Sequence, residues 1–173
     1  MQTERTILKT LSKADFSDVL KMYSEPDTFK YIVPARDKSR DWYLQFLESR
    51  IDQVKNGIGY HWVVRSNEHN EFIGLMNLNP IGNTARIQVG FQLKRKFWNQ
   101  GYASELTHTV LEFGFTEAKL KTIYGVFNTD NLASARIFRK FGFVHRETQR
   151  MEWEQSPIEI WALDVPSISE MQK

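Results

Sequence analysis

The pattern of apolar and polar positions changes period several times along the chain, and each change predicts a new element. Residues 60–66 and 72–78 are rich in β-branched and aromatic residues and are separated by a polar run, an arrangement that predicts a hairpin. In residues 86–93, apolar side chains alternate with polar or small ones, as in a half-buried strand. Further strands are predicted at residues 6–11, 122–127, 143–153 and 158–165.

Between these strands, apolar residues recur at helical spacing and predict four helices. Asp15 and Ser39 precede the first two and can cap them, and Gly57 and Gly142 follow the second and the fourth. The four helices are expected within residues 15–25, 39–57, 103–118 and 132–142.

The resulting order, β-α-α-β-β-β-α-β-α-β-β, contains no internal repeat, low-complexity tract or linker. Such a mixed order predicts one α/β or α+β sheet with helices on both faces. A chain of 173 residues with 41% hydrophobic content can bury one good core, so we expect a single domain over residues 1–173.

Composition narrows the function. The 23 basic and 21 acidic residues give a net charge of +2, so any anion site must be local, and neither nucleic-acid nor membrane binding is expected. The absence of cysteine excludes disulfides, Cys-bound zinc and a Cys acyl-enzyme, and no metal site is predicted. Without a long apolar run or a signal-like start, the chain is expected in the cytoplasm.

Residues 94–103 join the predicted strand 86–93 to a helix. Lys94, Arg95 and Lys96 bring three cations, and Gly101 permits close backbone approach or a positive φ. The unpaired N–H groups and the positive dipole end of the following helix complete a site that can hold a phosphate or pyrophosphate. The alternative is a solvated basic loop before an ordinary surface helix.

Two motifs carry a resemblance to a known family. FWNQGYASE at residues 97–105 resembles the W-G-x-G-Y-A-T-E signature of the GCN5-related N-acetyltransferases, most closely the branch that acetylates the N-termini of ribosomal proteins. NLASARIFRKFGF at residues 131–143 resembles the second motif of the same superfamily. Thr3, Glu4 and Arg5, with Leu8, Lys9, Leu11 and Asp15, resemble the N-terminal strand and helix of that branch, so the likeness covers nearly the whole chain.

The resemblance implies an acyl-CoA N-acyltransferase fold, a mixed sheet of about seven strands splayed between the fourth and fifth. Acetyl-CoA would lie in the splay, with its arm paired to the free edge of the fourth strand and its pyrophosphate on the backbone of residues 98–104. The residues expected to bind it are Phe91, Gln92, Leu93, Lys96, Phe97, Trp98, Asn99, Gln100, Gly101, Tyr102, Ala103, Ser104, Asn131, Ser134, Phe138 and Lys140.

Acid catalysis departs from the common family pattern. Phe138 stands where many members carry a tyrosine that protonates the leaving thiolate, so Phe138 is expected to pack in the core or against CoA. Ser134 is the alternative donor, as in the ribosomal-protein branch, although a serine there can also act as a local cap.

The general base is less evident. Gln88 stands where members often carry a glutamate; it cannot take a proton at neutral pH but can orient a water or the incoming amine. Deprotonation could run through ordered water, His61 or Glu105. The alternation of His61 with Tyr60 and Trp62 predicts a solvent-facing histidine, and the first-turn position of Glu105 predicts a structural role near the helix dipole.

Asn131 is expected to hydrogen-bond the pantetheine arm or to cap a helix. Arg136, Arg139 and Lys140 lie near the cofactor in this arrangement or form a solvated helix face. Family acceptors enter between the first helices and the last hairpin, where the candidate lining residues are Tyr31, Trp42, Tyr43, Met76, Asn77 and Trp153.

The leading hypothesis is an acetyl-CoA-dependent N-acetyltransferase that acts on a primary amine, such as a protein N-terminal amine, by direct transfer in a ternary complex. One alternative keeps the reaction but changes the acceptor to a small amine, amino acid, polyamine or antibiotic. Another is a CoA-binding module with little turnover, because Phe138 and Gln88 replace two ionisable positions. The protein is expected as a monomer or homodimer.

Overall fold

The computed structural model describes residues 1–150 and 156–165, and these residues form a single seven-stranded sheet. The strands are β1 Thr6–Thr10, β2 Tyr60–Ser66, β3 Phe72–Pro80, β4 Ile87–Leu93, β5 Thr122–Asn128, β6 Val144–Gln149 and β7 Ile158–Asp164. They lie in the order β1-β2-β3-β4-β5-β7-β6, and every pair is antiparallel except β4 and β5. The remainder of the predicted strand 143–153, with Trp153, lies outside the described residues.

Four helices accompany the sheet, in the predicted order: α1 Phe16–Tyr23, α2 Arg40–Lys55, α3 Tyr102–Thr116 and α4 Leu132–Lys140. The Ser39 hydroxyl accepts the N–H of Trp42 and caps α2 as expected. Asp15 differs from the prediction, because its carboxylate does not cap α1. It accepts instead the N–H and hydroxyl of Ser12 and pairs with Arg65 at 3.1 Å.

The sheet buries both of its faces, as the alternation on β2 shows. Trp62 and Val64 join a core formed with α3 and α4, whereas Val63, between them, joins a second core with α1 and α2. Helices therefore cover both faces, which confirms the predicted α/β architecture. None of the described helices is long and apolar enough to cross a membrane.

The sheet opens between β4 and β5. These parallel strands share only two pairs of partners, Gln88 with Tyr124 and Val89 with Gly125. From Gly90 to Leu93, β4 continues to pair with β3 but no longer with β5. One edge of β4 is thus left without a strand partner, which confirms the expected splay.

Candidate active site

The loop between β4 and α3 takes its shape from backbone conformation. Residues Arg95–Phe97 form a 3-10 turn, and Gly101 then caps α3 with a φ of +84°. Asn99 also has a positive φ, of 58°. The Trp98 indole N–H donates to the Leu93 carbonyl at 2.7 Å, which ties the loop to the end of β4. The first N–H groups of α3, free of helical partners, follow directly.

The three cations of this loop are each paired with a carboxylate. Lys94 lies 3.7 Å from Glu25, Arg95 pairs with Asp27, and Lys96 pairs with Glu71. The Arg95 N–H also donates to Glu25, at 3.2 Å. These pairs fasten the loop to the segment after α1 and to the hairpin, so much of the basic charge is locally balanced.

Arg5, on the segment before β1, holds the other side of the loop. Its guanidinium donates to the Gln100 carbonyl at 3.0 Å, binds the Glu105 carboxylate at 2.6 Å and lies 3.9 Å from the Tyr102 ring centre. Burial acts to raise the pKa of Glu105, but hydrogen bonds from Thr3 and Arg5 outweigh it and hold the pKa below its ordinary value. Glu105 thus has Arg5 as its ion-pair partner, which agrees with the structural role expected of it.

A cleft of about 380 Å³, called here the loop cleft, runs along this loop between β4 and α4. Most of the residues predicted to bind the cofactor line it: Phe91, Gln92, Leu93, Phe97, Trp98, Asn99, Gly101, Tyr102, Ala103, Ser104, Asn131 and Ser134. Arg136 lines it too. Lys96, Gln100, Phe138 and Lys140 are not among its lining residues.

The start of α4 presents Ser134 to the cleft. Asn131 caps this helix, its side-chain oxygen accepting the Ser134 N–H at 3.1 Å. Ser134 is buried, and its hydroxyl makes no hydrogen bond to any part of the chain that the structure describes. The capping bond uses the Ser134 backbone, so the hydroxyl is available to a ligand.

Phe138 packs in an aromatic cluster behind the cleft. It is almost fully buried, with the rings of Phe143, Phe127 and Phe91 centred 4.9, 5.4 and 6.3 Å away. A Cβ on Gly125 would meet this ring at 2.7 Å, so the glycine on β5 makes room for it. These contacts agree with the core-packing role expected of Phe138.

A second cavity, of about 410 Å³ and called here the sheet pocket, lies beneath α1 and α2. Gln88, Asn77, Met76 and Tyr31 line it, as does Phe138. Trp42 does not; it stacks on Phe46, with ring centres 5.2 Å apart. The residues common to the two cavities are Tyr31, Ile32, Phe91, Gln92, Asn131 and Ser134. The cavities thus meet beside the point where β4 leaves β5.

The expectation that His61 faces solvent is wrong. His61 is 8% exposed and lines the sheet pocket, so it does not face solvent. The reason is that β2 is covered on both faces, and alternation along such a strand separates two cores instead of core from water. Burial, and after it the nearby charge of Arg50, lowers the pKa of His61 to about 3. The imidazole is neutral at physiological pH.

Several polar side chains of the sheet pocket, Tyr23 and Arg50 among them, were not identified from the sequence. Tyr23 on α1 and Arg50 on α2 both line it. Arg50 follows Tyr43 and Leu47 at helical spacing, so an arginine within the buried stripe of α2 was the available signal. Nothing in the sequence connected Tyr23 with a cavity.

The family follows from comparison with known proteins. Residues 5–144 match the model of the acetyltransferase (GNAT) domain, so the chain belongs to the GNAT acetyltransferase family and is an N-acetyltransferase. The uncharacterized N-acetyltransferase YoaA of Bacillus subtilis is 24% identical over 144 residues, 83% of this chain and 81% of its own. The resemblance based on the two motifs is confirmed.

Solved structures agree on the fold. RimL, a ribosomal L7/L12 alpha-N-protein acetyltransferase solved with coenzyme A, has a TM-score of 0.81 at 13% identity, covering 94% of this chain and 96% of its own. Spermidine N-acetyltransferase of Vibrio cholerae, solved with CoA and spermine, has a TM-score of 0.78 at 18% identity, covering 92% and 95%. Their acceptors differ, a protein in one case and a polyamine in the other.

Proposed function

We propose that the protein moves the acetyl group of acetyl-CoA directly to a primary amine, with both molecules bound at once. The observation that carries this proposal is the junction of the two cavities at Ser134 and Phe91, beside the opening between β4 and β5. A thioester in the loop cleft and an amine in the sheet pocket would meet there without crossing protein.

The loop cleft fits the donor for three reasons. Gly101 holds the left-handed conformation that lets backbone N–H groups turn toward a phosphate, and among the described residues a Cβ there would touch only Arg5, at 3.5 Å. The edge of β4 beyond Val89 offers backbone groups to an extended amide-bearing arm. Arg136, which lines the cleft, adds a cation. The bound donor supplies an activated acetyl thioester.

The chain's own residues then act on charge and position. Ser134, at the N-terminal end of α4, is placed to donate a hydrogen bond where the thiolate departs, and the helix dipole favours negative charge there. Gln88 orients the amine or a water, because its carboxamide lines the sheet pocket and cannot act as a base. No carboxylate is among the described lining residues of the sheet pocket, so the amine loses its proton through water.

The test measures binding and turnover separately. Acetyl-CoA should raise the melting temperature, and release of free thiol should rise above background with at least one acceptor from a panel containing N-terminal peptides, amino acids and polyamines. Binding without thiol release from any acceptor would remove the transfer proposal. A melting temperature unmoved by acetyl-CoA would remove the assignment of the loop cleft.

A further inference from the structure

The charge of the sheet pocket is unusual for a cavity proposed to receive an amine. Of the described residues that line it, Arg50 alone carries a formal charge at neutral pH, and none is an aspartate or glutamate. A polyamine or other purely cationic acceptor would meet a like charge there and no counter-ion among these described residues, which costs free energy.

Arg50 differs from the three cations of the loop between β4 and α3. Each of the loop cations Lys94, Arg95 and Lys96 pairs with a carboxylate. Arg50 donates to the neutral Gln53 side chain at 2.8 Å and lies 4.3 Å from the Phe46 ring centre, but forms no ion pair with a described carboxylate. A guanidinium has five N–H donors, so most of its hydrogen-bonding capacity remains for a ligand.

Two further polar groups converge near Arg50. The His61 Nε2 atom is fully buried and has no hydrogen-bond partner among the described residues. The Tyr23 side chain is buried as well, and its hydroxyl makes no hydrogen bond within the described chain. Burial raises the pKa of Tyr23, which keeps the phenol protonated as a donor. The nearby charge of Arg50 acts to lower the pKa of both Tyr23 and His61. One cation, one phenol donor and an imidazole that donates in its Nε2–H tautomer form a set suited to an anion.

The sheet register links this set to the junction of the cavities. His61 on β2 pairs with Asn77 on β3, which pairs with Gly90 on β4, the first residue beyond the β4–β5 contact. Neighbouring strands lie about 4.8 Å apart, so His61 and Gly90 are roughly 10 Å apart along this row. A short molecule could span from one to the other.

We propose that Arg50, His61 and Tyr23 bind the carboxylate of the acceptor, so that the substrate is a compact aminocarboxylate whose amine reaches the junction at Ser134. This inference rests on the proposed function, because it identifies the sheet pocket as the acceptor site. It selects among primary amines: a free carboxylate a few bonds from the amine is recognised, and the corresponding amide or polyamine is disfavoured.

The test compares matched acceptors and matched variants. Thiol release is measured with glycine, β-alanine, 4-aminobutyrate and leucine, with the carboxamide of each, and with spermidine. The best carboxylate should exceed its carboxamide roughly 10- to 100-fold in kcat/KM, the range for a charge-assisted hydrogen bond. Arg50→Gln should abolish that preference while acetyl-CoA binding is retained. Lys55→Gln, which removes a cation from the exposed side of the same helix, should keep it.

Two outcomes overturn the inference: carboxamides or spermidine serving as well as the carboxylates, or Arg50→Gln slowing every amine equally. Calorimetric titration of the same amino acids into the CoA-bound protein separates this failure from failure of the proposed function. Arg50-dependent binding without thiol release would leave the carboxylate site standing and remove the transfer reaction. Normal turnover of carboxamides would leave the transfer reaction standing and remove the carboxylate site. Melting temperatures verify that each variant is folded.

Discussion

The loop cleft and the sheet pocket meet at Ser134, yet they are built in opposite ways. Beside the loop cleft, the cations Lys94, Arg95 and Lys96 are paired with carboxylates and do not line the cleft. The cleft offers a ligand mainly backbone groups, set by Gly101 and by the free edge of β4, with Arg136 as the basic side chain among its described lining residues. In the sheet pocket, residues from α1, α2, α4 and five strands converge, and its one charged group among the described lining residues has no described carboxylate partner.

This difference explains why the loop cleft can be recognised from the sequence and the sheet pocket cannot. A site made of backbone requires particular residues at consecutive positions, so it leaves a motif. A pocket made of side chains from distant segments can vary at each of them while the fold is kept. The cofactor site of a family is therefore recognisable where its acceptor site is specific to each member.

The largest expected effect is on the backbone-built cleft. Gly101→Leu should weaken acetyl-CoA binding by at least about 100-fold, because it places a side chain at a φ of +84° beside the loop N–H groups. Gly57→Leu is the matched control, at a φ of +70° with open space around it and outside both cavities. Calorimetry should show that only Gly101→Leu loses the ligand. Equal losses would mean that general strain, not the cleft, is responsible.

Ser134→Ala tests the residue shared by the two regions. We expect kcat to fall about 100-fold, the low end of the range for a general acid, with acetyl-CoA affinity nearly unchanged. The helix cap should survive, because Asn131 binds the Ser134 backbone N–H. An unchanged kcat would remove Ser134 from the chemistry, and a weaker affinity alone would make it a binding residue.

His61 tests the buried character of the sheet pocket through pH. Its pKa is about 3 in the folded state and about 6.5 in the unfolded chain, so the unfolded state takes up the proton first as pH falls. The stability due to neutral His61 is complete above about pH 6.5 and is lost toward pH 3. Between pH 7.5 and pH 5 the loss is about 2 kcal/mol.

Urea unfolding of wild type and His61→Gln at these two pH values measures this contribution. The wild type should lose about 2 kcal/mol more than the variant between pH 7.5 and pH 5. His69→Gln, whose side chain is 80% exposed, should behave as the wild type does. Identical pH dependence in the wild type and His61→Gln would place His61 in contact with water.

The smallest expected effect concerns the basic loop. Lys96→Gln should change acetyl-CoA affinity less than about threefold, because Lys96 is paired with Glu71 and does not line the loop cleft. Arg136→Gln removes a cation that does line it and should have the larger effect. A greater loss for Lys96→Gln would show that its ion pair opens to meet the phosphates.

Much of the fold was predictable, because the strands and helices follow clear periodicities and the family resemblance implies the splay. The errors and omissions concern residues whose surroundings are determined by tertiary packing. Alternation at Tyr60, His61 and Trp62 could not show that β2 is covered on both faces. Asp15 was recognised as a helix start, but its bonds to Ser12 and its pairing with Arg65 required the fold.

The site residues show the same distinction between local sequence patterns and tertiary packing. Gly101 and Ser134 fall within local motifs, so their neighbourhood was predicted from sequence. Lys96 was assigned to the cofactor from its position in the basic loop, whereas Glu71, its partner, lies 25 residues away. Arg50 gave only a weak signal, and its relation to His61 and Tyr23 arises from three separate elements.

The central claim is that the loop cleft and the sheet pocket are occupied together and that the acetyl group passes directly between them. Initial rates measured over a grid of acetyl-CoA and acceptor concentrations test it most directly. The account predicts double-reciprocal lines that intersect, as for a ternary complex. Parallel lines, the pattern of a covalent acetyl-enzyme released in two stages, would contradict it.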